Sequence, residues 1–188
     1  MLRGLSAEAS AGEVVHVAGS NGVGKTTLLR VFAGLLMPEE GNVTWQGMPV
    51  TANFDAYAAT LAYLGHSDAL KADFSARENL AQAVGLRRPV TTAELDQALA
   101  RVGLAGCSEL PARVLSAGQR RRLAMARVML SAAPLWILDE PFTNLDHAGV
   151  QLLSGVIGEH VAAGGAALIA SHQPPAIPRH AARCVDLT

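Results

Sequence analysis

Two textures of apolar residues alternate along the chain: short continuous runs bounded by Gly or Pro, and longer stretches with apolar positions recurring every three or four residues. GEVVHVAG, residues 12–19, is of the first kind and TTLLRVFAGLL, residues 26–36, of the second, which predicts a strand, a Gly-rich loop and a helix in that order. A turn at MPEEG, 37–41, leads to a short strand at NVTWQG, 42–47, and LAYLG, 61–65, reads as a further buried strand. The texture then turns helical. SARENLAQAVGL, 75–86, and TTAELDQALARVG, 91–103, are amphipathic, and each opens on a Ser or Thr followed three residues later by Glu, the pattern of a capped helix start. They are expected to form a helical insertion covering about residues 72–115.

Beyond SAGQ a helix is predicted to about Leu130, then an apolar strand at PLWILDE, 134–140, a helix over 146–163 and a strand at AALIASH, 166–172. Strands alternate with helices, so the fold class is α/β with a mostly parallel sheet flanked by helices. No internal repeat or long linker divides the 188 residues, and a single domain over 1–188 is expected.

Composition adds limits. Half the residues are hydrophobic and mean hydropathy is +0.25, yet charges interrupt every apolar run before the roughly 18 residues needed to span a bilayer. The apolar excess fits either an Ala-rich core or a surface that docks on a membrane-embedded partner. A net charge of −1 provides no basic field for nucleic acid, so none is expected as a partner. The one dense basic run, Arg120, Arg121 and Arg122, is read as a solvated face. Cys107 and Cys184 lack the spacing of a metal site or redox pair and are expected to be reduced thiols. Residues 1–12 carry no apolar segment ending in a cleavage site, so export is not indicated and a cytoplasmic location is expected.

The chemistry begins at GSNGVGKT, residues 19–26, which matches G-x-x-x-x-G-K-[ST] in the strand–loop–helix setting that pattern requires. Gly19, Ser20, Asn21, Gly22, Val23 and Gly24 would curl so that successive N–H groups face a phosphate at the positive end of a helix opened by Lys25, Thr26 and Thr27. Lys25 supplies charge to the β- and γ-phosphates, and the Thr26 hydroxyl is the expected Mg²⁺ ligand. Downstream, LWILDE ends an apolar strand in two carboxylates. Asp139 is assigned to Mg²⁺ and Glu140 to the general base that polarises the attacking water. A nucleoside triphosphate and Mg²⁺ are thus the expected substrate and cofactor.

LSAGQRRRLAMAR, 115–127, has no use in ordinary P-loop kinases or GTPases. With it the chain resembles the ABC ATPases over nearly its whole length: LSAGQ is similar to their LSGGQ signature, TNLD at 143–146 to the D-loop and SHQ at 171–173 to the switch histidine. The resemblance implies a P-loop NTPase of the ABC type in which two copies sandwich two ATP molecules. Ser116, Gly118 and Gln119 would serve the γ-phosphate bound by the other copy, Asp146 would lie across the interface, and His172 would reach the γ-phosphate from the same copy as Lys25. One copy alone would not hydrolyse.

Three departures accompany the resemblance. Ala117 stands where the signature has Gly, which means either that no positive φ is needed there or that a cost of about 1 kcal/mol is tolerated. His66 falls where most of the family has the Q-loop glutamine; it fits a role through water, a signal to the membrane partner, or a plain polar loop position. Only 18 residues precede Gly19, fewer than the family uses to bring an aromatic residue onto adenine, so either the start is truncated or the base is held differently. Within the family the GH pair Gly65–His66, with Leu70 and Lys71, LWILDEPFTNLD, HQP and the terminal DLT look most like the ATP-binding subunits of bacterial heme exporters of cytochrome c maturation. That branch implies multi-pass membrane subunits as partners, docked near His66 and the helical insertion, and a peripheral position on the cytoplasmic face of the inner membrane. Neither C-x-x-C-H nor a His tract is present, so direct heme binding is not expected.

Overall fold

The computed structural model describes residues 4–178, 180 and 182–187. In chain order the elements are β1 (Val14–Ala18), α1 (Lys25–Phe32), β2 (Thr44–Trp45), β3 (Met48–Pro49), α2 (Phe54–Thr60), β4 (Leu61–Leu64), α3 (Ala76–Gly85) and α4 (Thr92–Arg101). They are followed by α5 (Ala117–Leu130), β5 (Leu135–Asp139), α6 (His147–Ala162), β6 (Ala166–Ala170) and β7 (Ala182–Asp186), with short 3₁₀ turns between several of them.

The main sheet runs β4-β5-β6-β1-β7, and every neighbouring pair in it is parallel. Strands β1, β4, β5 and β6 are buried on both faces, which explains their continuous apolar runs, whereas the edge strand β7 is largely exposed. Alternate residues feed two cores. Val14, Leu64, Trp136, Leu138, Ala167 and Ile169 pack with α3, α4, α5 and α6 on one face. Val15, Val17, Ile137 and Leu168 pack on the other with Leu28 and Leu29 of α1 and with Tyr57 of α2. The sheet is therefore doubly covered, and the carboxyl ends of β1, β5 and β6 are left to carry loops. That edge is where ligands of parallel sheets bind.

Sequence and structure agree on the predicted helices and differ at their ends. The helix expected over 26–36 stops at Phe32 because Gly34, at φ +69°, takes the left-handed conformation that ends it, and Leu35 N–H turns back to the Arg30 carbonyl. Residues 42–47 give only the two-residue β2, paired antiparallel with β3 in a small separate hairpin. The seven-residue α2 and the C-terminal β7 were not foreseen: α2 is too short for a period to show, and only two of the five residues of β7 are even half-buried.

Capping behaves as the sequence implied. Ser75, Thr91 and Ser116 each close a full capping box, with Glu78, Glu94 and Gln119 returning the bond. In α4 the Thr91 N–H, together with Arg88 and the Thr91 hydroxyl, holds the Glu94 carboxyl down at about 2.

Candidate functional site

The loop between β1 and α1 delivers open backbone donors. Gly24, the residue before α1, has φ 119°, and no side chain caps the helix, so its first-turn N–H groups are left for a ligand. Gly22, at φ +79°, would meet nothing within 4 Å if it carried a Cβ; backbone conformation, not space, demands glycine there. Lys25 is buried, and its Nζ donates to the carbonyls of Gly19 at 2.7 Å and Ser20 at 3.2 Å. The ammonium is thus held inside the loop where a phosphate would sit. Ser20, Asn21 and Thr27 are exposed around it, with Val23 half-buried.

The end of β5 faces this loop. Thr26 Oγ1 donates to Asp139 Oδ2 at 2.8 Å, and Asp139 is only 1% exposed. A hydroxyl and a carboxylate form an all-oxygen donor pair suited to a hard cation that takes its remaining ligands from water and phosphate, so Thr26 and Asp139 fit Mg²⁺. Among the described residues no cluster of three or more His, Cys, Asp or Glu could replace them. Tyr63, two positions before Gly65, has its phenol raised by burial and by the Asp139 charge, while Arg30 pulls it the other way.

Glu140 and His172 come from the ends of adjacent strands. Their closest atoms, His172 Nε2 and Glu140 Oε1, lie 3.7 Å apart, with His172 largely exposed and Glu140 mostly covered. Buried His16 supports the histidine from beneath: its Nε2 lies 3.0 Å from the carbonyl of Ser171. Glu140 itself has φ 51°, the left-handed region that a non-Gly residue seldom occupies, and its N–H donates to the Ala170 carbonyl at 2.8 Å. Thr26, Lys25, Asp139, Glu140 and His172 therefore share one edge of the sheet.

The signature residues form the first turn of α5 rather than a loop before it. Ser116 is exposed; its Oγ accepts from Gln119 N–H at 3.1 Å, and Gln119 Oε1 accepts from Ser116 N–H at 2.8 Å. Gln119 Nε2 also reaches Cys107 Sγ at 3.6 Å. Ala117 is the first helical residue and has no positive φ, which decides between the two readings of this position: glycine's extra freedom is not needed. Gly118 differs, because a Cβ there would lie 2.8 Å from the backbone oxygen of Asn144. Asp146 caps α6, accepting from Gly149 N–H at 2.8 Å within its own chain, and His66 is exposed.

One expectation fails. The arginine triplet is not a solvated face: Arg121 is 3% exposed. Arg120 donates to the Leu115 carbonyl at 2.6 Å, and Arg122 donates to the carbonyls of Val102 and Gly103 at 2.9 and 3.2 Å. The signal was present in the helical period, since Arg121 falls three, four and seven positions before buried Ala124, Met125 and Val128. His16 and Tyr63 escaped for a different reason: each is one residue in an otherwise apolar strand, with partners that only the fold brings near.

This doubly covered parallel sheet with a P-loop, a helical insertion and a signature helix defines a P-loop ATPase of the ABC type. The ABC transporter family model matches residues 2–143, and the chain belongs to that family. It is similar to the cytochrome c biogenesis ATP-binding export protein CcmA of Methylococcus capsulatus, 48% identical over 92% of this chain and 84% of that one. It is similar also to the CcmA of Escherichia coli K12, 44% identical over 100% of this chain and 89% of that one. Among solved structures, a putative ABC transporter ATP-binding protein from Pyrococcus furiosus superposes with a TM-score of 0.86 at 24% identity, covering 99% of this chain and 90% of that one. The cbiO1 subunit from Clostridium perfringens gives 0.76 at 26% identity over 93% and 73%. The chain is an ABC-type ATPase that binds and hydrolyses ATP. Among the described residues no helix is long and apolar enough to cross a membrane.

Proposed function

We propose that this chain is the ATP-binding and ATP-hydrolysing subunit of a bacterial exporter of cytochrome c biogenesis, coupling hydrolysis to heme export or to release of a heme-loaded chaperone. The observation that carries this reading is the 44–48% identity to CcmA proteins over at least 92% of the chain. The GH pair at Gly65–His66 agrees with it.

In this reading the triphosphate lies on the N–H groups of residues 19–27, with the Lys25 ammonium leaving the Gly19 and Ser20 carbonyls for the β- and γ-phosphates. Thr26 and Asp139 hold Mg²⁺, which when bound offsets the charge of the phosphates. Glu140 accepts the proton of the attacking water as oxygen joins the γ-phosphorus and the bond to ADP breaks, a contribution of roughly 10² to 10⁴ in rate. His172, beside Glu140, faces the γ-phosphate.

ATPase subunits of this family work in pairs on membrane permease subunits. Exposed Ser116, with the helix end behind it, serves the nucleotide of a second copy, and Gln119 sets its orientation through the capping box. Asp146 sits at the same interface. The membrane subunits dock near His66 and the insertion, so the protein works from the cytoplasmic face of the inner membrane, touching neither nucleic acid nor heme. Deleting the gene should remove c-type cytochromes, and a Lys25→Ala copy should not restore them. Normal cytochrome c levels after deletion would point to another cargo.

A further inference from the structure

The guanidinium of Arg121 joins two segments that the chain keeps far apart. Nη1 donates to the carbonyl of Gly65 at 2.9 Å and to Asp68 Oδ1 at 3.0 Å. Nη2 donates to the carbonyls of Asp139 and Glu140, the latter at 2.9 Å. A charge at this depth persists only when paired and hydrogen-bonded; Asp68 supplies the countercharge and three carbonyls supply the rest. Nε has no protein acceptor among the described residues.

What Arg121 holds is strained. Glu140 persists at φ 51° only because its surroundings over-determine it. Its N–H is fixed by Ala170, and its carbonyl accepts from both Arg121 and Thr143 N–H. On the other side, Gly65 and Asp68 flank His66, and a Cβ on Gly65 would press on the Tyr63 ring at 3.1 Å, so this turn also has little slack. A lysine could not do the same, because one ammonium cannot fork to both segments.

We propose that Arg121 is a positioning residue for hydrolysis: it fixes the backbone of Glu140 and transmits any displacement of residues 65–68 to it. The inference rests on the assignment of Glu140 as general base and of residues 19–27 as the nucleotide cradle. It assigns a task to a side chain that belongs to neither the nucleotide cradle nor the general base.

Hydrogen exchange of the full chain, with and without Mg²⁺ and a non-hydrolysable ATP analogue, tests it in wild type, Arg121→Lys, Asp68→Ala and Asp68→Asn. In wild type the analogue should slow exchange at 19–27, at 139–143 and at 65–70. Arg121→Lys and Asp68→Ala should keep the protection at 19–27 and lose it at 65–70, while Asp68→Asn, which retains an acceptor oxygen, should restore it. Steady-state ATP hydrolysis by Arg121→Lys and by Asp68→Ala should show kcat lowered roughly tenfold with KM within about twofold, and a variant combining Arg121→Lys with Asp68→Ala should be no slower than Arg121→Lys alone. Asp68 is partly exposed, so Asp68→Ala carries the test if Arg121→Lys does not fold. Protection at 65–70 that survives in the variants, or is absent from wild type while 19–27 is protected, overturns the role of Arg121 alone. Absence of protection at 19–27 in wild type overturns the nucleotide site and this inference with it.

Discussion

The Thr26 hydroxyl donates to the Asp139 carboxylate at 2.8 Å although the two residues are 113 positions apart in the chain. One comes from the first turn of α1 and the other from the last residue of β5, and their meeting places the loop of residues 19–26 against the carboxyl end of that strand.

Asp139→Asn keeps an oxygen for the Thr26 hydroxyl and removes the charge. Mg²⁺-dependent ATP binding should weaken, and kcat should fall by roughly 10²-fold or more. The melting temperature should move by only a few degrees. Nucleotide titration with Mg²⁺ and with EDTA checks this: an unchanged difference between the two conditions would remove Asp139 from the metal site.

Glycine is required at 118 and not at 117. Gly118→Ala would drive a methyl group to 2.8 Å from the Asn144 carbonyl, a backbone atom that cannot rotate away, so the first turn of α5 must shift. ATPase activity should drop at least about tenfold. Ala117→Gly should cost no more than about 1 kcal/mol and keep activity. Paired kinetics and thermal melts distinguish them, and equal effects would show that the Gly118–Asn144 approach is unimportant.

Three capping boxes differ in what else they serve. Ser75→Ala and Ser116→Ala should each cost about 1 kcal/mol of stability. Only Ser116→Ala should also depress turnover, because its hydroxyl faces outward at the proposed interface. Denaturant melts beside ATPase assays give the comparison, and a matching loss of activity in Ser75→Ala would reduce the role of Ser116 to capping.

His160 makes stability depend on pH. Its ring stacks on Trp136 with centroids 3.8 Å apart, and burial lowers its pKa below 6.5, outweighing the Ala166 and Pro134 carbonyls that pull it up. Below pH 6.5 the unfolded chain takes up a proton that the folded one resists. Stability is therefore full above that pH and lost as pH falls through the folded value. His160→Phe keeps a flat ring on Trp136 and should flatten the decline in melting temperature between pH 7 and 5. An identical decline in both proteins would exclude His160 as its source.

Glu140→Gln should bind Mg·ATP without turning it over and so favour the paired state. Light scattering of this variant with Mg·ATP should report a dimer, with the membrane subunits supplied if the chain alone remains monomeric. A monomer under both conditions would sink the shared site.

The sequence by itself determined whatever is local or repeats along one element. The phosphate loop is legible because its glycines, lysine and threonine are consecutive, and the helices because capping pairs and apolar periods lie within a few residues. Asp139 and Glu140 could be named because a strand end fixes where they point. Tertiary structure decided the rest. The order β4-β5-β6-β1-β7 alone brings Glu140 beside His172, and Ser171 over His16. Burial of Arg121 was decided in the same way: three consecutive arginines read as solvated until the oxygens that satisfy the middle one are assembled from residues 65, 68, 139 and 140. A buried charge is stabilised only by partners distant in sequence, and those partners exist only once the chain has folded.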